Sequence, residues 1–302
     1  MENRLDLVAR TPEDLLACVP LALGFVPEQS VVMIGLGRRS VPHARVDLGA
    51  PEDLPEVCEA LVAPAVQHGA EEVALSVWGD LDAAVRPAGG LRRAFEAAGI
   101  PVPVVLAHDG TAWAVLDPPA RGPATPFDVL AHPFVTEAVV AGRVVHRSRR
   151  ALARTLAPDP ARVEATARAL LMRGRQVPPP RRVRQVATTV LAGGGVPGPG
   201  DVALLVAAAG SPPLRDALWH DLSADEARRQ VDLWLAVVRA TPAALRAAPA
   251  AVLAACAWRA GDGALAWCAV DLARAAPGEC PLTEVVAHLL ATAAAPDTRL
   301  PG

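Results

Sequence analysis

Arg45, Asp47, Asp80, Asp82, His108 and Asp109 are the residues of this chain whose types and spacing best suit chemistry. They fall at or just beyond the ends of three runs that read as β-strands: Val41–Leu48, Val73–Trp78 and Val102–Ala107. If those strands run parallel, their carboxyl ends share one edge of a sheet, and open α/β sheets bind ligands at that edge. Arg45 lies two residues before Asp47 and points to the same face. Two carboxylates and an imidazole can hold a divalent cation, which can polarise a phosphoryl oxygen or activate water. The chemistry that follows is metal-dependent hydrolysis of a phosphorylated small molecule, with Arg45, Asp47, Asp80 and His108 around the ligand. The same residue types also make helix caps and turns. Asp80 and Asp82 then cap a helix, His108-Asp109 belongs to a turn, and Arg45–Asp47 is a structural pair. This second reading is preferred, so no catalytic residue or metal ligand is assigned and no cofactor is expected.

Other candidates are weaker. Ser30 stands at a turn-to-strand entry and not on a G-x-S-x-G elbow, so it is not read as a nucleophile. The glycine-rich run at 193–200 has neither a lysine nor a strand-then-helix setting, so it is not read as a phosphate cradle. Asp216 and His220 are spaced i, i+4 on an expected helix and can touch; a salt bridge is preferred over an acid–base pair. Arg143, Arg147, Arg149, Arg150 and Arg154 form one basic cluster, and Arg173, Arg175, Arg181, Arg182 and Arg184 another. They suggest a nucleic-acid-associated regulator, but no aromatic residues interleave for base stacking. A solvated helix face and a charged linker are preferred, and nucleic acid is not an expected partner.

Composition narrows the chemistry further. The chain has 302 residues, and all 29 of its Lys+Arg positions are arginine. Without lysine there is no Schiff base, no pyridoxal-phosphate anchor and no P-loop contact. Arginine cannot accept a proton near neutral pH, so a general base must be His, Asp, Glu or Cys. The five cysteines include no C-x-x-C pair, which argues against a disulfide framework and a structural zinc. Net charge is -3, giving no global attraction to nucleic acid or an anionic membrane. The opening M-E-N-R-L-D-L lacks the apolar core of a signal peptide. No uncharged apolar run reaches the roughly 18 residues that span a bilayer. A cytoplasmic protein without membrane contact is expected.

The elements that would position these residues are legible locally. Thr11 caps a helix with Pro12 at its first position, and Glu13 and Asp14 follow at its positive end. Val26 to Gln29 reads as a turn, and Ser30–Leu36 as a strand buried on both faces. Gly37 to Ser40 turns into the strand at 41–48. Pro51–His68 is helical, and Asp109-Gly110 marks a hairpin between two later strands. Asp159 caps another helix that Gly174 stops. Pro- and Gly-rich pieces between 176 and 201 read as linkers around a short helix. No strand is expected beyond them. Ser223-x-x-Glu226 is a capping box, and Gly261-Asp262-Gly263 joins Ala250–Ala260 to Gly263–Ala276 in a helical hairpin.

The block T-P-E-D-L-L…L-G-F-V-P-E-Q-S-V-V-M-I-G-L (Thr11 to Leu36), followed by R-V-D-L (Arg45 to Leu48), resembles domain family 4192, DUF4192, common in high-GC Gram-positive bacteria. Ala138–Leu152, Leu214–Leu218 and Ala257–Ala273 agree with it. The resemblance implies no particular reaction. The family pattern also includes a Cys-Cys-Pro-x-x-Gly element after the hairpin; Val115-Leu116-Asp117-Pro118-Pro119 stands there instead, so no site on those cysteines is expected.

The expected architecture is an α/β N-terminal domain over 1–158, with a mixed, mostly parallel sheet. A helix and linker over 159–201 and an all-α helical-hairpin domain over 202–302 follow. The expected role is non-catalytic binding or scaffolding, with a protein partner met through the helical domain.

Overall fold

The computed structural model of the chain describes residues 7–37, 43–174, 176–193, 196–220, 222–296 and 298. All but the first residue of the turn expected over Gly37 to Ser40, part of the glycine-rich run, Arg175 and most of the opening heptapeptide lie outside them. The chain divides into two units, Met1–Arg149 and Arg150–Gly302.

The first unit opens with α1 (Pro12–Leu23), capped as its sequence requires. Thr11 Oγ1 accepts from the Asp14 amide, and Asp14 Oδ2 accepts in return from the Thr11 amide. Then come β1 (Ser30–Leu36), β2 (Ala44–Asp47), α2 (Leu54–Gln67), β3 (Glu72–Trp78), α3 (Val85–Ala97), β4 (Val104–His108) and β5 (Ala112–Asp117). The short strands β6 (Ala120–Arg121) and β7 (Thr125–Pro126) precede α4 (Pro133–Val140). The strands form one sheet in the order β2-β1-β3-β4-β5-β6, and β7 also pairs with β5.

The expectation of a mostly parallel sheet is corrected here. Among the described strands only β3 and β4 pair in parallel, and the other strand pairings are antiparallel. The near-continuous apolar runs, read as strands buried on both faces, arise because helices cover both faces of a mostly antiparallel sheet. One face packs on α2 and α3 through Val31, Leu61, Leu75, Leu91 and Phe95. The other packs on α1 and α4 through Leu16, Val19, Val32, Trp78 and Leu106. A strand buried on both sides loses the period-two pattern whichever way its neighbours run.

β1 is antiparallel to both β2 and β3, so β2, β3 and β4 still run in one direction. Their carboxyl ends reach the same edge, with β1 inserted between the first two.

The second unit is helical among the described residues. It holds α5 (Arg149–Arg154, which begins at the boundary), α6 (Pro160–Arg173), α7 (Pro180–Ala192), α8 (Pro199–Ala209), α9 (Pro212–Asp216), α10 (Ala224–Ala240), α11 (Ala247–Arg259), α12 (Gly263–Ala275) and α13 (Pro281–Ala291). α6 and α7 pack on α8 and α10. α11 is the centre: Ala250, Ala251, Ala254 and Ala255 are fully buried, and α10, α12 and α13 lie against it. Small alanine side chains let the axes approach closely, and leucine there would overfill the core.

The Asp262 turn and the Ser223 cap behave as read. Asp262 Oδ1 accepts from the Leu265 amide and caps α12. The Ser223–Glu226 capping box opens α10. No helix is long and apolar enough to cross a membrane among the described residues.

Candidate functional site

One cross-strand row runs along the carboxyl edge of the sheet. Ser30 is opposite both Asp47 and Trp78, Trp78 is opposite His108, and His108 is opposite Trp113. Residues directly opposite share a face, and this face is the α1/α4 side. Arg45 and Asp47 alternate with Ala44 and Val46, which pack on the α2/α3 side. Arg45 donates to Asp47 Oδ1 and to the Glu28 carbonyl, and its guanidinium lies 5.6 Å from the Phe25 ring centroid.

Asp47 and His108 are three strand spacings apart in this row, roughly 14 Å at about 4.8 Å per strand. Oxygen and nitrogen ligands sit about 2–2.6 Å from a cation, so these two do not share one. Asp80 falls on the other side of the sheet edge. Its Oδ1 accepts from the amides of Asp82 and Ala83, holding the β3–α3 loop. Asp82 is bound to Arg121, and that hydrogen bond holds its carboxyl below the usual range. Among the described residues, no group of three His, Cys, Asp or Glu could hold a metal ion.

His108 is fully employed. Nδ1 accepts from the Gly110 amide at 3.0 Å, and Nε2 donates to the Phe127 carbonyl at 3.3 Å, which makes it the neutral Nε2–H tautomer. It is 1 % exposed, and burial pushes its pKa below the ordinary 6.5. Acid must therefore act against the fold. The unfolded chain takes up this proton near pH 6.5 while the folded chain resists it, so stability falls as pH drops below that value. Between about pH 7.5 and about pH 5.5 carboxylates stay ionised, and a His108→Gln variant should lose less melting temperature than the parent. Equal losses would place the acid sensitivity elsewhere.

His108 also belongs to a chain of rings that sequence reading missed. Trp78, His108, Phe127, His132 and Phe134 follow one another with centroids 4.8, 5.9, 5.9 and 4.9 Å apart. His132 caps α4 by accepting from the Phe134 amide, and its Nε2 reaches Asp14 Oδ1 at 3.3 Å, tying α4 to α1. The Trp78–His108, His108–Phe127 and His132–Asp14 contacts join residues far apart in sequence, whereas Phe127, His132 and Phe134 lie within one short stretch.

The other nucleophile candidates are not activated. Ser30 is fully buried, and its Oγ has no hydrogen-bond partner among the described residues. Burial raises the Cys18 thiol to about 11, so it carries almost no thiolate near neutral pH. Asp216 accepts from Arg215 Nε at 3.0 Å.

On the α2/α3 side, the carboxyl edge opens into a cavity of about 220 Å³. Leu54, Val57, Val77 and Ala84 make its apolar wall, and Gln29, Asp80 and Arg86 are its polar side chains. The V-P-E-Q-S turn builds one lip. Gln29 adopts φ 43, a left-handed conformation that costs a non-glycine residue about 1–2 kcal/mol. Its carbonyl accepts from the Leu48 amide at 2.8 Å, which fixes the path into α2. Gly79 lets the Gln29 amide approach: a Cβ there would lie 3.3 Å from Gln29 Oε1. Strained backbone of this kind persists where surrounding structure enforces it, and it clusters at ligand sites. Of the residues singled out by sequence, Asp80 alone lines this cavity; Asp47 and His108 occupy the opposite face. The signal available in sequence was the Gln29 turn itself, which stands immediately before a buried strand.

A family model described as Domain of unknown function (DUF4192) matches residues 12–297, across both units. No curated protein and no solved structure matches the chain.

Proposed function

We propose a binding role for this chain, which belongs to the DUF4192 family, with the sheet-edge cavity of the first unit as its ligand site. The observation that carries this reading is an apolar wall with three polar side chains gathered at the edge where β2, β3 and β4 end. Mostly apolar concavities with a few placed polar groups are the usual form of small-molecule sites. At about 220 Å³ the cavity is below the roughly 300–1,000 Å³ of drug-sized pockets. The ligand is accordingly a small molecule with an apolar body and one polar or anionic end. The apolar end meets Val57 and Val77, and the polar end meets the Gln29 amide and the Arg86 guanidinium. Asp80 spends one oxygen on its own loop, which suits a positioning role.

The hydrolase alternative lacks a converging ligand set at Asp47, Asp80 and His108. An odd number of cysteines without paired spacing supports a reducing, cytoplasmic setting. Partner contact remains assigned to the helical unit.

Ala83 lines the cavity yet is exposed, so Ala83→Phe fills the space without disturbing the core. In a ligand-observed fragment screen, fragments that bind the parent should bind Ala83→Phe at least about tenfold more weakly, a loss of about 1.4 kcal/mol. Unchanged binding to the variant would remove the cavity from the mechanism.

A further inference from the structure

The segment from 165 to 200 contains six arginines and no acidic residue, in a chain whose net charge is -3. It spans most of α6, the α6–α7 turn and all of α7. At the end of α6, Leu171 and Met172 are adjacent and 84 % and 83 % exposed, and Val177 in the turn is 65 % exposed. On α7, Val183, Val186 and Ala187 face inward while Arg181, Arg182 and Arg184 are exposed. The apolar residues of the tip are thus followed directly by a basic helix face.

We propose that the α6–α7 tip is a membrane-surface contact, with Leu171, Met172 and Val177 entering the headgroup–acyl boundary of an anionic bilayer and Arg181, Arg182 and Arg184 meeting its phosphates. Shape decides between occupants. Side chains more than four-fifths exposed protrude, and a protrusion has no walls to hold a peptide; a bilayer accepts one. Pro178, Pro179 and Pro180 fix the backbone between tip and collar, so little conformational freedom is lost on docking. Arginines near an anionic leaflet are drawn to it, and apolar side chains that enter the boundary gain by leaving water. Nucleic acid fits less well. The segment has no aromatic residue for stacking, and Leu171 and Met172 would stay in water.

The test is co-sedimentation of the full chain with vesicles of phosphatidylglycerol and phosphatidylcholine in equal parts, against pure phosphatidylcholine. The parent should pellet with the anionic vesicles and not the neutral ones, and salt raised from about 50 to about 300 mM should weaken this. Leu171→Ser/Met172→Ser should reduce binding by at least about tenfold. Arg181→Gln/Arg182→Gln/Arg184→Gln should reduce it by at least a similar factor. All five positions are on the surface, so far-ultraviolet circular dichroism melts should match the parent and exclude misfolding. Failure of the parent to prefer anionic vesicles overturns the proposal. So does undiminished binding by the serine variant, which leaves charge alone. Duplex DNA binding that needs the arginines but not Leu171 and Met172, without vesicle binding, makes the segment a nucleic-acid contact. A dimer of the parent that the serine variant dissolves, again without vesicle binding, makes it a self-association surface.

Discussion

Trp78→Ala is expected to destabilise the first unit by about 3–5 kcal/mol, the usual cost of emptying a buried tryptophan site. Trp78 is 1 % exposed and packs in the α1/α4 core with Leu16, Val32 and Leu106. Its Nε1 donates to Ser76 Oγ at 2.9 Å, and its ring lies 4.8 Å from His108. Removing the ring leaves a cavity, an unpaired buried hydroxyl and a histidine without its stacking neighbour. Domains hold only about 5–15 kcal/mol in all, so the loss is a large share of the total. Trp78→Phe retains most of the packing and loses the Ser76 hydrogen bond, for about 1–1.5 kcal/mol. Urea unfolding followed by far-ultraviolet circular dichroism measures both. A cost below about 1 kcal/mol for the alanine variant would mean that this face of the sheet is not packed as described.

Arg259→Ala should cost the second unit about 2–4 kcal/mol. Arg259 is 8 % exposed, an uncommon state for a guanidinium. Nη2 donates to the His220 carbonyl at 2.6 Å, Nη1 donates to the Pro296 carbonyl at 3.1 Å, and the group lies 5.4 Å from the Trp258 ring centroid. It thereby ties the α9–α10 connection and the C-terminal segment to the end of α11. Two opposed effects set the net value. Hydrogen bonds to a charged group are worth about 1.5–3 kcal/mol each, but removing the charge also relieves its desolvation. The alanine variant removes the donations to both segments and leaves a space the stem had filled, so the loss outweighs the relief. Arg259→Lys should recover less than half of it, because a single ammonium nitrogen must reach from one point both carbonyls that the guanidinium meets with separate nitrogens. Full recovery by lysine would show that charge, and not the planar fork, is what this position supplies.

What could be read from sequence was whatever a few neighbouring residues decide. The Thr11 cap, the Ser223 capping box, the Asp109-Gly110 hairpin, the Asp159 cap and the Gly261-Asp262-Gly263 turn each depend on contacts within about four residues. Strand direction does not. Ser30–Leu36 is buried along most of its length between two helical layers, and that pattern is the same for parallel and antiparallel neighbours. Its insertion between β2 and β3 is fixed by pairing with strands far along the chain. The site suffered from the same limit. Alternation along a strand places Arg45 and Asp47 on one face, but Asp80 lies past the end of β3, where alternation no longer specifies a side. The W-R-A-G-D-G block was visible as a turn, while the Arg259 bonds to His220 and Pro296 span 39 and 37 residues.

The most direct test of the sheet-edge cavity is a titration of isotope-labelled protein with its tightest-binding fragment, followed by backbone amide shifts. The predicted result is a set of perturbations confined to Gln29, Gly79, Asp80, Leu54 and their neighbours, absent in Ala83→Phe. Shifts centred on the Asp47–His108 row, confined to the second unit, or unaltered by Ala83→Phe would contradict it.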